Sequence, residues 1–249
     1  MRFKDMEQQE RLTLFEDELK KIKQNRGYEP VRNQIVDIIR KCVILGILQD
    51  DEQLREESIA STVGVSRVPV REAMRMLEAE GLVYSTPHMG TRVVGFEDGD
   101  IQEIFRIRKM LESLICDYII EEVSDEKLMD GKRLLDETAE RIEIAENYSL
   151  IGKDWGGLSF NQRLNEVCAK RRLGALYSQY DQYIRTFRII NSTSLERRKE
   201  ALNEHRIIWN AIVARDKEKV HAAIELHSNN SYKHLIAKVE NGQTDFNGL

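Results

Sequence analysis

Proline is nearly missing from this chain: Pro30, Pro69 and Pro87 are its only three, all within the first 87 of 249 residues. Because proline fixes φ and removes an amide donor, its absence after residue 87 leaves the remainder free to be continuously helical. Cysteine is scarce as well. Cys42, Cys116 and Cys168 are odd in number and share no short spacing, which argues against a disulfide framework or a zinc ribbon. Set inside apolar patterns, they read as small buried hydrophobes of a reducing cytoplasm. No uncharged apolar run approaches the roughly 18–20 residues of a membrane span. Met1-Arg2-Phe3-Lys4-Asp5 lacks the apolar segment of a secretory signal, so a cytoplasmic protein with no membrane partner is expected. A basic excess is absent too, the net charge being −5. No P-loop, dinucleotide fingerprint, metalloprotease motif or Ser-His-Asp grammar occurs, and the glycines of Asp154-Trp155-Gly156-Gly157-Leu158 follow no strand. An enzyme is not expected.

Helical periodicity is what the chain has in abundance. In residues 5–25, Leu12, Phe15, Leu19 and Ile22 step by three and four. That stripe could pack on the next domain or pair with its own copy, unless the segment is a solvated leader. After Pro30, residues Val31, Ile35, Ile38, Ile39 and Cys42 mark the inner face of a helix ending near Gly46. A short second helix is expected from about Glu56 to Val63, with Gly64 where a tight turn needs positive φ. A third begins at Ser66, whose hydroxyl can cap first-turn amides. Val70, Ala73, Met74 and Leu77 form its buried face, and Gly81 stops it. Leu82-Val83-Tyr84 and Arg92-Val93-Val94 flank Pro87-His88-Met89-Gly90 as a hairpin. This order predicts a winged helix-turn-helix over 28–96, after a helical extension over 1–27. Gly95-Phe96-Glu97-Asp98-Gly99-Asp100 reads as a linker. Beyond it the spacing predicts an all-helical bundle of about six helices over 97–240, then a tail over 241–249. The expected fold class is mainly α.

Charge balance within the winged domain gives no help, since residues 28–95 hold eight Lys and Arg against ten acids. The argument rests on placement. Arg67, Arg71 and Arg75, four apart, form a ridge beside the buried stripe. A helix with its back on a core and such a ridge suits the major groove, where guanidinium forks take guanine edges or phosphate oxygens. Ser66 at the helix start could reach a phosphate. In the hairpin, Gly90 allows close approach, with His88, Thr91 and Arg92 as donors. Alternatively the ridge is a solvated face partnered by Glu72 and Glu78. The wording of the segment decides between these readings. Through Ile44-Leu45-Gly46, Leu54-Arg55-Glu56, Val63-Gly64-Val65-Ser66-Arg67-Val68-Pro69-Val70-Arg71-Glu72-Ala73, Leu77-Glu78-Ala79-Glu80-Gly81-Leu82-Val83 and Gly90, residues 28–95 resemble the N-terminal domain of the GntR family of transcriptional regulators. The resemblance implies sequence-specific binding of double-stranded operator DNA by a homodimer, with Ser66, Arg67 and Arg71 at the operator and Gly90 in the wing. Val68 replaces a residue usually polar, so a contact there would be apolar, for instance to a thymine methyl. Glu57 stands where some members carry arginine.

In the second half, Arg108-Lys109-Met110-Leu111-Glu112, Asn203-Glu204-His205-Arg206-Ile207-Ile208, Arg215-Asp216 and Ala222-Ala223 with His227 are similar to blocks of that family's FCD effector-binding domain. The likeness implies a small-molecule effector and, in many such domains, a divalent metal on one aspartate and three histidines. His205 and His227 match two of those ligands. The other two positions fall on Gly157, which has no side chain, and on Asn161, a weak donor in place of imidazole. Two imidazoles fall short of the three or four protein ligands of tight sites, so a retained metal is disfavoured. Two further readings stay open. Arg108, Asn161, His205 and His227 could line a metal-free pocket for a small organic acid, Arg108 facing its carboxylate; or the histidines simply pack. His88, His221 and His234 read as surface residues. No other cofactor is expected. The expected function is a transcriptional regulator whose operator affinity responds to an effector; the alternative is an effector-binding or interaction protein that has lost DNA binding.

Overall fold

The computed structural model describes residues 3–24, 29–86, 89–129, 132, 135, 160–191 and 195–241, and the chain divides between Asp100 and Ile101 into two compact units. The first is built on helices α1 (Gln8–Gln24), α2 (Val31–Ile44), α3 (Glu56–Val63) and α4 (Arg67–Ala79), with strands β1 (Gln53–Leu54), β2 (Val83–Thr86) and β3 (Gly90–Val93). Helix α2 starts behind Pro30, whose carbonyl accepts the amide of Asn33 at 2.9 Å, and it buries Ile35, Val36, Ile39, Cys42 and Val43. Val31 and Ile38 are only half-buried. Helix α3 ends on Gly64 at φ +75°, a left-handed geometry that costs a residue with a Cβ about 1–2 kcal/mol.

Helix α4 buries Val70, Ala73, Met74 and Leu77. Ser66 sits at its N-cap without a side-chain cap hydrogen bond, contrary to expectation. An N-cap oxygen takes the second or third amide of the helix, and the third residue here is Pro69, which has no N–H to give. A partly buried ion pair ties α2 to the end of α4: Arg40, 1% exposed, donates from Nε at 2.9 Å and Nη2 at 2.7 Å to the two oxygens of Glu80.

The sheet is antiparallel in the order β1-β3-β2. The wing hairpin pairs Val83 with Val93, Ser85 with Thr91 and Thr86 with Gly90. Strand β1 pairs Leu54 with Thr91 and was not expected, because two residues show no alternation. Helix α1 lies against α2 and α3. It buries Phe15, Leu19 and Ile22, so its apolar stripe closes on the chain's own unit, and buried Arg11 reaches Ile47 O at 2.5 Å and Glu52 Oε1 at 2.7 Å.

Helix α5 (Asp98–Glu122) begins earlier than expected. Asp98, Gly99 and Asp100 form its first turn rather than a linker, and Asp100 Oδ2 accepts the Glu97 amide at 2.7 Å. The Asp100 carboxylate suits the positive end of the helix. The second unit continues with helical residues 125–129, α6 (Phe160–Cys168), α7 (Arg171–Asn191), α8 (Leu195–Val213) and α9 (Lys217–Asn241). Its core holds Ile115, Cys116, Ile119, Leu164, Tyr177, Trp209, Ile212 and Ile224, and Trp209 Nε1 donates to Leu128 O at 3.0 Å. Among the described residues no helix is long and apolar enough to cross a membrane.

Candidate nucleic-acid interface and effector pocket

The outward face of α4 carries Arg67, Val68, Arg71 and Arg75, all exposed. Their common direction follows from the opposite stripe being buried: positions three and four apart share a face. Val68 is 63% exposed, an apolar side chain in water between two cations. Glu56, the first residue of α3, carries both neighbouring arginines. Its Oε2 lies 3.3 Å from Arg67 Nη2 and 3.1 Å from Arg71 Nη2. The hydrogen bond from Arg71 leads in holding the Glu56 carboxyl below its ordinary range, and the Arg71 guanidinium is correspondingly raised. The carboxylates expected as partners lie elsewhere: Glu72 pairs with Arg32 at 3.1 Å, and Glu78 accepts the Ser85 amide at 2.8 Å.

Gly90 begins β3 at φ +83°. Gln53 Nε2 donates to Met89 O at 3.0 Å, and a Cβ on Gly90 would come within 3.3 Å of the same Nε2. The wing tip is thus pinned to β1, and a concavity lies between α3, α4 and the wing, with Arg67, Arg71, Gly90, Glu56 and Glu57 in its lining. Thr91, expected to present a donor, is buried, its Oγ1 3.3 Å from Ser85 Oγ, because it shares with Val93 the buried face of β3. Arg92 is turned to Asp51, meeting its carbonyl at 2.6 Å and its carboxylate at 3.1 Å. His88 lies outside the described residues.

In the second unit a polar cluster replaces part of the apolar core. Arg108 and Glu112 are one turn apart on α5, and both are buried; Arg108 Nε donates to Glu112 Oε1 at 2.7 Å. Asn161 Nδ2 donates to the same oxygen at 2.7 Å, and Tyr177 Oη lies 3.5 Å from it. His227, buried on α9, has Nδ1 2.6 Å from Glu204 Oε2 and Nε2 3.5 Å from Arg108 Nη2. Arg197 grips Glu204 through two bonds of 3.0 Å, and Asn230 Nδ2 adds one at 2.8 Å. Burial pushes the Glu204 carboxyl up, but the hydrogen bonds from His227, Arg197 and Asn230 outweigh it and bring it down to about 2. The ring of His205 stacks on Phe160 at 4.1 Å and lies 4.7 Å from that of His227.

The four expected pocket residues, Arg108, Asn161, His205 and His227, therefore come together around one cluster. Arg108 departs from expectation: its charge is engaged by Glu112 instead of standing open. Gly157 lies outside the described residues, and His221 and His234 are on the surface, beside Asp117 and Glu200. Glu56, Glu112, Tyr177, Arg197 and Glu204 were missed as site residues. A signal for Glu112 and Glu204 existed, since each falls in step with the apolar positions of its own helix: Glu112 between Arg108 and Cys116, Glu204 four before Ile208.

Two family models match the chain. The model described as bacterial regulatory proteins, gntR family, covers residues 31–93, and that of the FCD domain covers 103–230. An uncharacterized HTH-type transcriptional regulator of Bacillus subtilis, YdhC, is 29% identical over 218 residues, which is 86% of this chain and 95% of that protein. The HTH-type transcriptional repressor GlaR of Escherichia coli is 26% identical over 207 residues, 81% and 90% of the two chains. Among solved structures, Lar, described as controlling the Listeria monocytogenes agr system, superposes with a TM-score of 0.57 at 16% identity, covering 85% of this chain and 99% of its own. The E. coli structure McbR/YncC gives 0.53 at 18%, covering 86% and 99%. At those identities the two structures speak for the fold.

Proposed function

Because this chain belongs to the GntR family of bacterial regulatory proteins, in the branch whose second half is an FCD domain, and is accordingly a DNA-binding transcriptional regulator, we propose that it reads its operator through Arg67, Val68, Arg71 and Arg75 on α4. The observation that carries the assignment is the exposed arginine ridge beside the pinned wing turn at Gly90. In this reading α4 enters the major groove, Ser66 meets a phosphate at the helix start and the wing lies along the adjacent backbone. The protein acts as a homodimer on a pseudo-palindrome, because one such helix spans too few base pairs for useful specificity. The FCD unit binds a small organic acid at the Arg108, Asn161, His205 and His227 cluster, and its occupancy shifts operator affinity.

Fluorescence anisotropy with labelled DNA from upstream of the protein's own coding sequence tests the first part, with scrambled DNA of equal length as control. Saturable binding that discriminates between them supports the regulator. Equal binding to both at matched salt would favour a protein that keeps an effector site but no operator, a reading to which Glu56 and Glu57 in the concavity lend weight. Repeating the titration with a panel of organic acids tests the effector half.

A further inference from the structure

The metal that many FCD domains hold needs three or four protein ligands of the right kind, and the donors among the described residues do not fit it. Among the described residues no group of three His, Cys, Asp or Glu side chains could hold an ion. His227 Nδ1 lies 2.6 Å from Glu204 Oε2, which leaves Nε2 as the ring nitrogen turned towards Arg108. That nitrogen already has a cationic donor, Arg108 Nη2, at 3.5 Å, and an imidazole nitrogen that accepts from a guanidinium has no second lone pair for a metal ion. Asn161, in the place of a third imidazole, is committed in one direction only. Glu112 takes its Nδ2 at 2.7 Å, and the opposite orientation would set the amide oxygen against a carboxylate. Its Oδ1 therefore points away from Glu112, fully buried and without a hydrogen-bond partner. A buried acceptor left unsatisfied is costly, and a ligand group that donates to it would remove that cost.

We infer that this cluster recognises a small organic anion without a metal ion, the Arg108 guanidinium standing where the cation would be and Asn161 Oδ1 accepting a hydrogen bond from a hydroxyl of the ligand. The inference rests on the effector reading above and narrows it to hydroxy acids. Glu112 holds Arg108 through Nε, and the Nη groups of the guanidinium supply the planar fork for the carboxylate. Asn161 tells a hydroxy acid from its deoxy counterpart, because a site with a polar atom left empty rejects the analogue that cannot fill it.

The test uses the full-length protein, stripped with a chelator and dialysed, and matched pairs of acids differing by hydroxyl groups: lactate with propionate, malate with succinate, gluconate with hexanoate. Thermal shift and calorimetric titration are read with and without added Zn²⁺ or Ni²⁺. For at least one pair, the hydroxy acid should bind the stripped protein about tenfold or more tighter than its partner, with no gain from metal. Asn161→Ala should bring the two members of that pair to nearly equal affinity. The paired change Arg108→Gln with Glu112→Gln removes the charges together, avoiding an orphaned carboxylate, and should abolish binding of both acids while the protein remains folded. Stoichiometric metal surviving the chelator, or acid binding only when metal is added, would overturn the metal-free site and leave the effector reading standing. Equal affinity within every pair, unaltered in Asn161→Ala, would overturn the role of Oδ1. Failure of every acid to bind, with or without metal, would sink the organic-acid reading together with this inference.

Discussion

A phosphate or a guanine edge that approaches α4 has to take Arg67 and Arg71 away from Glu56, the carboxylate that carries both. Arg67→Ala and Arg71→Ala are each expected to weaken operator binding, by roughly 1–3 kcal/mol where the lost contact was to a base. Anisotropy titrations at matched salt read this directly; a phosphate contact shows instead as equal weakening on all sequences. Glu56→Gln is expected to tighten binding to scrambled DNA more than to operator, since it releases two guanidinium groups without adding any base contact. Glu204 gives a pH prediction. Its carboxyl lies at about 2 in the fold against an ordinary 4.5, so its stabilising effect is complete above the ordinary value and is lost as pH falls through the folded one. Urea midpoints of the second unit should therefore drop from roughly pH 5 towards pH 2, following linkage, and Glu204→Gln should flatten that slope.

At the scale of elements, α1 is the feature that sequence left undecided. Its stripe was plain in Leu12, Phe15, Leu19 and Ile22, but periodicity says only that a helix has an apolar face, never what covers it. The structure lays that face on α2 and α3. Leu19→Ala should cost about 2–5 kcal/mol, as for other buried leucines, seen as an earlier denaturation of the DNA-binding unit. Helices α3 and α4 were legible almost to the residue, because Gly64, Ser66, Pro69 and Gly81 punctuate them. Strand β1 was not, being too short to alternate. In the second unit, apolar spacing gave the helices and family likeness gave Arg108, Asn161, His205 and His227. What neither gave was their pairing. Glu112 and Glu204 fall in step with apolar positions, but only packing shows that Glu112 pairs with Arg108 and Glu204 with Arg197, all four turned inward. The same limit hid Glu56, which comes next to α4 through the helix–turn–helix geometry, eleven residues from Arg67.

For the whole molecule, the expected assembly is a homodimer that needs both half-sites. Sedimentation at micromolar concentration should show the dimer, and a half-site duplex should bind far more weakly than the full pseudo-palindrome. Each unit also has its own core, so their stabilities need not be equal. The chain contains a means of timing each one separately. Cys42 lies in the first core and Cys116 in the second, each fully buried, and burial pushes both thiols upward, away from the reactive thiolate. An alkylating reagent should therefore leave the native protein unmodified at these positions, and each can be labelled only when its own core opens. Peptide mass spectrometry after timed exposure to iodoacetamide would then act as two independent clocks on one chain. A bound organic acid should slow the Cys116 clock, while a cognate duplex should slow that of Cys42.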